Sequence, residues 1–403
     1  MRIVMHIDVN NAFLSWSALY LLEHGSKYDI RNSYAVIGGD EEARRGIVLA
    51  KSMPAKKLGI KTGETLYKAR EKCRVLKVYP SNFEYYKEMS KKLFELIRKY
   101  TPDIEIASID ECYLEYTNIK SLYGDEVEFA CSLQSEIKDT LGFTVNIGIA
   151  NNKLCAKMAS DFTKPNKIHT LYDFEVKEKM WPLDVGDLFG IGKKSREKLI
   201  KLGINTIGDL ANANPDTLYK YFKNQSRFMI DWANGIDNSK VNIEDRIPKG
   251  IGNEITLKND ISDKKLLYPY LYELSCKVGL RLRNEAKYAF VIAVTLKDKK
   301  FIRTSHQKKL LNPIYTDSDI FEYSKKVLNE MWKNQSVRLI GIRLEKLTDK
   351  LMIQSSLFEN DKENIKNNLE RTLDSINKKY KTRIVKKARE EVYNEQRDNK
   401  RNK

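Results

Sequence analysis

The chain has 403 residues, of which 41% are hydrophobic, and its formal net charge is +17. This length exceeds what one hydrophobic core usually supports, so we expect two to four domains, and the positive charge favours a polyanionic partner, nucleic acid first. The acidic residue at position 8 excludes a signal peptide, no apolar run is long enough to span a membrane, and the five scattered cysteines are not spaced as in a disulfide framework or a zinc site, so a cytoplasmic protein is expected.

The first part of the chain alternates predicted strands and helices. Residues 1–9 have the composition and alternation of a strand, and a helix with an apolar face follows from Asn11 to Leu22. A strand, a glycine turn and a second strand are predicted within 34–50, before a small basic helix from Ser52 to Leu58. Pro80-Ser81 is expected to open the next helix, with Ser81 and Glu84 forming a capping box.

Two adjacent acids, Asp110 and Glu111, lie at or near the bend of the next predicted element, a β-hairpin. The remaining elements of this unit are strands over Ile104–Ser108, Cys112–Tyr116 and Phe143–Ile149, and helices over Val127–Leu141 and from Asn152. This alternation predicts an α+β unit of ferredoxin-like type.

In the second half of the chain, the type of predicted secondary structure changes twice. Short helices are predicted after Pro182, and strands with two helices after Gly250, with a polar, tether-like segment over 238–247 between them. Beyond Lys350 the chain is rich in Lys, Glu and Asn, and an amphipathic helix is predicted near Ile365–Tyr380.

Three carboxylates are expected to meet in the first unit. Asp8 lies at the end of the first strand, and Asp110 and Glu111 lie in the hairpin. Carboxylates brought together by neighbouring strands repel one another unless a divalent cation compensates, and oxygen ligands suit Mg²⁺. The pattern therefore predicts two-metal phosphoryl-transfer chemistry, although each acid alone is more typical of a cap, a turn or a solvated surface.

The segments around these acids, His6-Ile7-Asp8-Val9-Asn10-Asn11-Ala12-Phe13 and Ser108-Ile109-Asp110-Glu111-Cys112-Tyr113-Leu114, resemble the motifs of the bacterial Y-family, or DinB/UmuC-type, translesion DNA polymerases. The resemblance extends over residues 1 to about 350. It implies that Asp8, Asp110 and Glu111, with the backbone carbonyl of Val9, bind two Mg²⁺ ions. It also implies an α+β multidomain fold shaped as a right hand.

Two further residues acquire roles through this resemblance. Phe13, which could also be a core residue on an apolar helix face, matches the steric gate that excludes the 2′-hydroxyl of a ribonucleotide. Lys164, in the Lys-Pro segment, is expected to contact the triphosphate of the incoming dNTP. Lys153 and Lys157 are interpreted as a basic helix face.

The segment over 46–60 resembles the strand and helix of the family's fingers, but it departs from the pattern at two positions. Met53 and Lys56 stand where many members have Tyr and Arg, so the triphosphate is bound more loosely or with the help of Lys51.

Two segments are expected to bind primer/template DNA. Gly190 and Gly192, followed by Lys193 and Lys194, have the form of a helix-hairpin-helix, whose backbone N–H groups contact phosphates; a simple turn is the alternative. Residues 247–257 resemble the entry strand of the family's little finger. Residues 241–350 contain 22 Lys and Arg against 14 Asp and Glu, which suits either duplex binding or a solvated basic face.

Gln354, Leu357 and Phe358 lie in a peptide, Gln-Ser-Ser-Leu-Phe, that resembles the one by which bacterial polymerases bind the sliding clamp. A disordered segment without a partner is the alternative interpretation.

The resemblance implies a domain layout that ends in a flexible, clamp-binding tail. The predicted domains are a catalytic palm (1–30 and 80–170), small fingers (31–79), a helical thumb (171–237), a linker (238–247), an α/β little finger (248–350) and the tail (351–403).

The predicted function is low-fidelity, template-directed translesion synthesis by a monomer, without proofreading or membrane attachment. The alternatives are a non-catalytic adaptor of the same fold that binds DNA and the clamp, and a helix-hairpin-helix DNA-binding protein. The second alternative leaves the three carboxylates and Phe13 unexplained.

Overall fold

The structure is a computed structural model that describes residues 1–41, 44, 46–244, 248–349, 360–380, 385 and 388. The chain folds into two compact units, the first formed by 1–39 with 46–245 and the second by 246–403 with the short segment 40–45. No helix within the described residues combines the length and the apolar composition needed to cross a lipid bilayer.

The first unit contains eight strands and eleven α-helices among its described residues. The strands are β1 Val4–Val9, β2 Ala35–Gly38, β3 Val48–Lys51, β4 Lys77–Tyr79, β5 Ile104–Ile106, β6 Glu111–Glu115, β7 Val145–Ala150 and β8 Ile168–Leu171. The helices are α1 Ala12–Glu23, α2 Met53–Lys57, α3 Leu66–Lys72, α4 Phe83–Arg98, α5 Lys120–Tyr123, α6 Glu126–Leu141, α7 Lys153–Asp161, α8 Lys193–Lys201, α9 Ile207–Ala211, α10 Pro215–Phe222 and α11 Gln225–Ala233.

A five-stranded sheet in the order β5-β6-β1-β7-β8 organises the first unit. The central strand β1 runs antiparallel to both β6 and β7, and all of its residues are buried. Because side chains alternate along a strand, Met5 and Ile7 enter the core shared with α4 and α6, whereas His6 and Asp8 point to the opposite face. The functional side chains of β1 therefore share the face covered by α7.

Helix α7 lies unusually close to this sheet because residue 148 is a glycine. A Cβ atom at Gly148 would lie 2.0 Å from the carbonyl oxygen of Ala156 and 2.5 Å from the amide nitrogen of Ser160. Gly148 pairs with His6 in the β1–β7 register. The missing side chain thus brings the polar residues of α7 beside His6.

A small three-stranded sheet, β3-β2-β4, forms a separate layer around residues 35–79. Its core contains Val36, Val48, Leu66 and Leu76, packed with α2 and α3. The short helices α8–α11 bury another set of apolar residues, including Leu199, Ile207, Leu210 and Leu218.

The second unit is an antiparallel four-stranded sheet with helices. Its elements are β9 Gly250–Ile261, α12 Tyr268–Asn284, β10 Tyr288–Asp298, β11 Arg303–Ile314, α13 Asp317–Met331, β12 Val337–Thr348 and α14 Asn360–Lys379, with the strands in the order β11-β10-β12-β9. Apolar residues of the sheet, α12 and α13 form one core.

Helix α14 packs against this unit through a buried cluster of charges. The guanidinium of Arg283, only 4% exposed, lies 2.7 Å from Asp317 Oδ1 and also donates to Asp374, and Glu370 lies 3.9 Å away. Arg371 Nε donates to the Tyr315 hydroxyl at 2.9 Å. The helix predicted near 365–380 is confirmed, but it packs on the second unit, which differs from the expected flexible tail.

The residue that caps helix α4 differs from the predicted one. Helix α4 begins at Phe83 and is capped by Asn82, whose side chain accepts from the amide of Tyr85 at 3.2 Å, so the predicted Ser81/Glu84 capping box is wrong.

The polar segment expected to be a tether is bonded to the first unit along its first half. The amide of Asn242 donates to Glu105 Oε2 at 2.8 Å, and Arg2 Nη1 donates to the carbonyl of Ser239 at 2.9 Å.

Candidate active site

The predicted hairpin places the two acids beside the first strand. Asp8 is paired with Glu111 in the β1–β6 register, and the amide of Val9 donates to the carbonyl oxygen of Asp110 at 3.0 Å. Asp110 ends the turn, and Glu111 is the first residue of β6. The carboxylates of all three residues therefore come from adjacent backbone positions at one end of the sheet.

The three negative charges influence one another. Burial, followed by the charges of Asp8 and Glu111, raises the pKa of Asp110 above its usual value, although the hydroxyl of Ser108 donates to its Oδ1 at 2.6 Å. Burial is thus the main cause of the raised pKa, and the two neighbouring acids add to it.

Two lysines compensate part of this charge. Lys164 donates to Asp8 Oδ2, and Lys157 donates to Glu111 Oε2 at 2.9 Å. Burial opposes protonation of both lysines, but the neighbouring carboxylates, Asp8 foremost, raise the pKa of each above its usual value. The Lys157 side chain is 13% exposed, so this part of the predicted basic helix face is turned toward the carboxylates and not toward solvent.

Lys153 is likewise not part of a solvated face. Its ammonium group lies 2.5 Å from Glu105 Oε2 and 4.8 Å from the centre of the Tyr113 ring.

In the part of the chain that the structure describes, no group of three or more His, Cys, Asp or Glu side chains is arranged to hold a metal ion directly. The donor chemistry nevertheless fits Mg²⁺, because all three side chains offer carboxylate oxygens and two ammonium groups lie beside them. A bound cation would replace Lys164 as the partner of Asp8 Oδ2.

His6 was missed by the sequence reasoning. Its ring is fully buried, its Nδ1 lies 2.8 Å from Ser160 Oγ, and its Nε2 lies 3.3 Å from Glu111 Oε2. His6, followed by Lys157, lowers the pKa of Glu111 to about 2. The sequence does contain a signal for His6: the period-two alternation of a strand puts its side chain on the same face as that of Asp8.

Asn10 was also missed, and it joins the carboxylate region to the Lys-Pro segment. Its Oδ1 accepts from the amide of Asn166 at 2.8 Å, and its Nδ2 donates to Asn146 Oδ1 at 3.0 Å. Because Asn166 follows Lys164 by two residues, these bonds help fix the loop that carries the Lys164 ammonium.

Phe13 lies near the start of α1 in a partly exposed aromatic cluster. Its ring stacks on Tyr86 with a centroid distance of 4.9 Å and an angle of 14°, and the edge-on ring of Phe83 lies 5.7 Å away. The hydroxyl of Tyr86 is 2.6 Å from Ser17 Oγ, so the ring beneath Phe13 is itself fixed. This packing holds Phe13 in one orientation while leaving part of it accessible.

The three finger residues differ in their surroundings. Lys51 Nζ donates to Thr62 Oγ1 at 2.9 Å, and burial together with the charge of Lys56 lowers the pKa of Lys51. Asn11 Nδ2 donates to the carbonyl of Lys51 at 2.7 Å, which ties this strand end to the start of α1. Met53 is 46% exposed and Lys56 is exposed, so both are accessible.

The two glycines of the predicted helix-hairpin-helix have different roles. Gly190 has φ +91°, and a Cβ atom there would lie 2.7 Å from the Trp232 ring. Gly192 precedes α8, and a Cβ atom there would meet nothing within 4 Å. Lys193 and Lys194 are exposed in the first turn of α8. Gly190 is therefore required by the fold, whereas Gly192 leaves open space in front of a helix start.

The predicted clamp-binding residues Gln354, Leu357 and Phe358 lie outside the residues that the structure describes.

Three parts of the chain match models of known protein families. A model of the impB/mucB/samB family matches residues 7–161, a model of that family's C-terminal domain matches 248–357, and an IMS-family HHH motif matches 175–204. The first match contains all three carboxylates and Phe13, and the third contains both hairpin glycines.

Individual relatives agree with these matches. The chain is 46% identical to DNA polymerase IV of Clostridium acetobutylicum, with 95% of this chain and 97% of the relative covered. It is 33% identical to DNA polymerase IV 1 of Bacillus subtilis, with 96% and 92% covered.

The fold is also similar to solved structures of DNA polymerases. A Y-family DNA polymerase chimera, Dbh-Dpo4(243-245)-Dbh, superposes with a TM-score of 0.76 at 25% identity, covering 86% of this chain and 100% of that chain. An insertion ternary complex of Dbh DNA polymerase superposes with a TM-score of 0.60 at 25% identity over the same shares.

Proposed function

Because the chain belongs to the impB/mucB/samB family, we propose that Asp8, Asp110 and Glu111 hold two Mg²⁺ ions that serve nucleotidyl transfer to a primer 3′-end. The chain is a DNA-directed DNA polymerase of the translesion type, with the α+β right-hand fold of the Y-family. The observation that carries the metal proposal is the pairing of Asp8 with Glu111 across two neighbouring strands.

Two bound Mg²⁺ ions supply activation of the primer hydroxyl and compensation of the charge on the triphosphate. The chain's own residues supply the ligands, with the backbone carbonyl of Val9 assisting. Oxygen-only ligation and the placement of the three carboxylates at facing or adjacent backbone positions support a hard divalent cation at this place.

Other residues select and orient the dNTP in this proposal. Phe13 excludes the 2′-hydroxyl of a ribonucleotide, supported by its fixed stacking on Tyr86. Lys164 exchanges its bond to Asp8 for a bond to the triphosphate, and Lys51 and Lys56 add positive charge where Met53 has no donor to offer.

Primer/template DNA is bound by the thumb and the little finger. The open approach at Gly192 and the exposed Lys193 and Lys194 support a phosphate contact that does not depend on base sequence.

The proposed domains keep the predicted bounds, including the palm over 1–30 and 80–170 and the little finger over 248–350. We expect a cytoplasmic protein, supported by five free cysteines, and we expect it to act as a monomer.

Primer extension on undamaged and lesion-containing templates tests the metal assignment. Wild-type chain should add nucleotides only with Mg²⁺ and lose activity when the metal is chelated. Asp110→Ala should reduce addition on the order of a thousandfold or more, the scale of losing a principal electrostatic contact, while duplex binding is retained. Glu115→Gln, which changes the same charge at the far end of β6, is the matched control. Near-normal extension by Asp110→Ala would refute the assignment.

The non-catalytic adaptor alternative has no support, since all three carboxylates are present at facing or adjacent backbone positions.

We also propose that Gln354, Leu357 and Phe358 bind the bacterial sliding clamp, on the strength of their sequence alone. Apolar anchors of this kind tether an enzyme and raise its effective concentration at the primer end. Replacing Leu357 and Phe358 by Ala should abolish stimulation by the clamp and leave clamp-free extension unchanged. Equal stimulation of variant and wild type would contradict the proposal.

A further inference from the structure

The fully buried imidazole of His6 lies between two polar groups on the α7 side of the central sheet. Its Nδ1 is 2.8 Å from Ser160 Oγ, and its Nε2 is 3.3 Å from Glu111 Oε2 without forming a well-aligned hydrogen bond. A buried polar nitrogen that is left without a good partner is costly, and here it faces a carboxylate that the reaction needs.

The tautomer of His6 decides whether this contact is attractive. A neutral imidazole carries one proton, on either Nδ1 or Nε2. With that proton on Nε2 the ring donates toward Glu111, whereas the other tautomer would direct a lone pair at the carboxylate. The hydroxyl of Ser160 reaches either Nδ1 of His6 or the carbonyl of Lys157, both at 2.8 Å. Donation to Nδ1 selects the Nε2–H tautomer.

Both neighbours of Glu111 converge on the same oxygen. His6 Nε2 and Lys157 Nζ each lie beside Oε2, at 3.3 Å and 2.9 Å. Among the described residues none donates a hydrogen bond to Oε1, which remains the oxygen available to a ligand.

We propose that Ser160 and His6 are positioning residues that hold Glu111 by Oε2 and so present Oε1 to the catalytic cation. The inference rests on the proposed role of Glu111 as a metal ligand. Outer groups that orient a ligating carboxylate commonly change metal affinity by about 10- to 100-fold when they are removed.

The test uses two replacements of His6 that imitate different ring nitrogens. The amide nitrogen of His6→Gln reaches the place of Nε2, and the amide of His6→Asn reaches only the place of Nδ1. Ser160→Ala removes the hydroxyl that selects the tautomer and changes little volume. The full chain is mixed with dideoxy-terminated primer–template and the matching dNTP, and bound Mn²⁺ is measured from the electron paramagnetic resonance signal of the free ion, with DNA alone as background.

His6→Asn and Ser160→Ala should raise the apparent Kd for Mn²⁺ by about tenfold, whereas His6→Gln should stay within about twofold of wild type. Equal losses in His6→Asn and His6→Gln would reduce His6 to a packing residue and overturn the inference, as would unchanged affinity in Ser160→Ala. Glu111→Ala distinguishes failure of the metal-ligand proposal from failure of the positioning inference. If this variant binds Mn²⁺ as wild type does, the assignment of Glu111 as a metal ligand is wrong. If only Glu111→Ala loses affinity, the metal ligand stands and the positioning role falls.

Discussion

The ammonium group of Lys164 donates to Oδ2 of Asp8, although 156 residues separate them in sequence. Lys164 also lies 2.8 Å from Asp161 Oδ1. The residue expected to contact the triphosphate is thus paired with a carboxylate expected to bind metal. One ammonium group links the two parts of the site.

Lys164→Ala should raise the KM for dNTP by roughly 10- to 100-fold, the scale of one charge-assisted hydrogen bond, with a smaller effect on kcat. Steady-state single-nucleotide insertion measures both constants. Lys167→Ala removes the same charge from an exposed residue of the same loop and should leave KM nearly unchanged. Equal increases in the two variants would indicate a general effect of charge.

Phe13→Ala should lower discrimination against ribonucleotides by about tenfold or more, because a missing ring no longer collides with the 2′-hydroxyl. Competition between rNTP and dNTP at one template position measures the ratio. The control is Phe94→Ala in the buried core, which should cost about 3–5 kcal/mol of stability and leave the ratio unchanged. An unchanged ratio with reduced stability in Phe13→Ala would make Phe13 a core residue.

Gly190→Ala and Gly192→Ala should separate folding from DNA binding. Alanine at position 190 meets the Trp232 ring and a left-handed backbone that costs roughly 1–2 kcal/mol, so Tm should fall. Alanine at position 192 has room and an ordinary φ of −81°, so Tm should hold while duplex affinity falls. Thermal unfolding and binding titrations at several salt concentrations measure both. A lower Tm for both variants, with no selective loss of affinity at 192, would refute the phosphate contact.

Asp374→Asn should destabilise the second unit, because it removes one of the carboxylates around the buried guanidinium of Arg283 and leaves Asp317 and the more distant Glu370 to compensate its charge. We expect a loss of about 1–3 kcal/mol in the free energy of unfolding, measured by urea denaturation. Glu285→Gln, at the exposed end of α12, changes the same charge without touching Arg283 and should be neutral. Identical unfolding of the two variants would mean that α14 contributes nothing through this cluster.

Periodicity and turn residues were sufficient to predict most elements of the first unit. The strand of residues 1–9, the hairpin that carries Asp110 and the helix from Asn152 are present with small shifts at their ends. These signals are local, because the apolar spacing of an element is written in its own residues. The choice between Ser81 and Asn82 as a helix cap is local too, but both side chains suit the position and only the backbone geometry decides between them.

The misread features depend on contacts between distant residues. The environment of Lys157 follows from Gly148, whose missing side chain lets α7 approach the sheet, and nothing in the spacing of α7 alone indicates this. The docking of α14 depends on Arg283, which lies 91 residues from its partner Asp374. The role of each proposed site residue stays a prediction until the variants are measured.

The bond between the amide of Asn242 and Glu105 Oε2 fixes the predicted linker to the first unit at its middle. With Asn242 held, the connection to Gly250 at the start of β9 can extend to about 28 Å at most, by the reach of an extended backbone. A shorter connection leaves the second unit a smaller volume to search, which would lower the entropy lost if it binds DNA together with the catalytic unit as we propose. Glu105, a residue remote from any chemistry, would in this way influence how long the polymerase stays on its template.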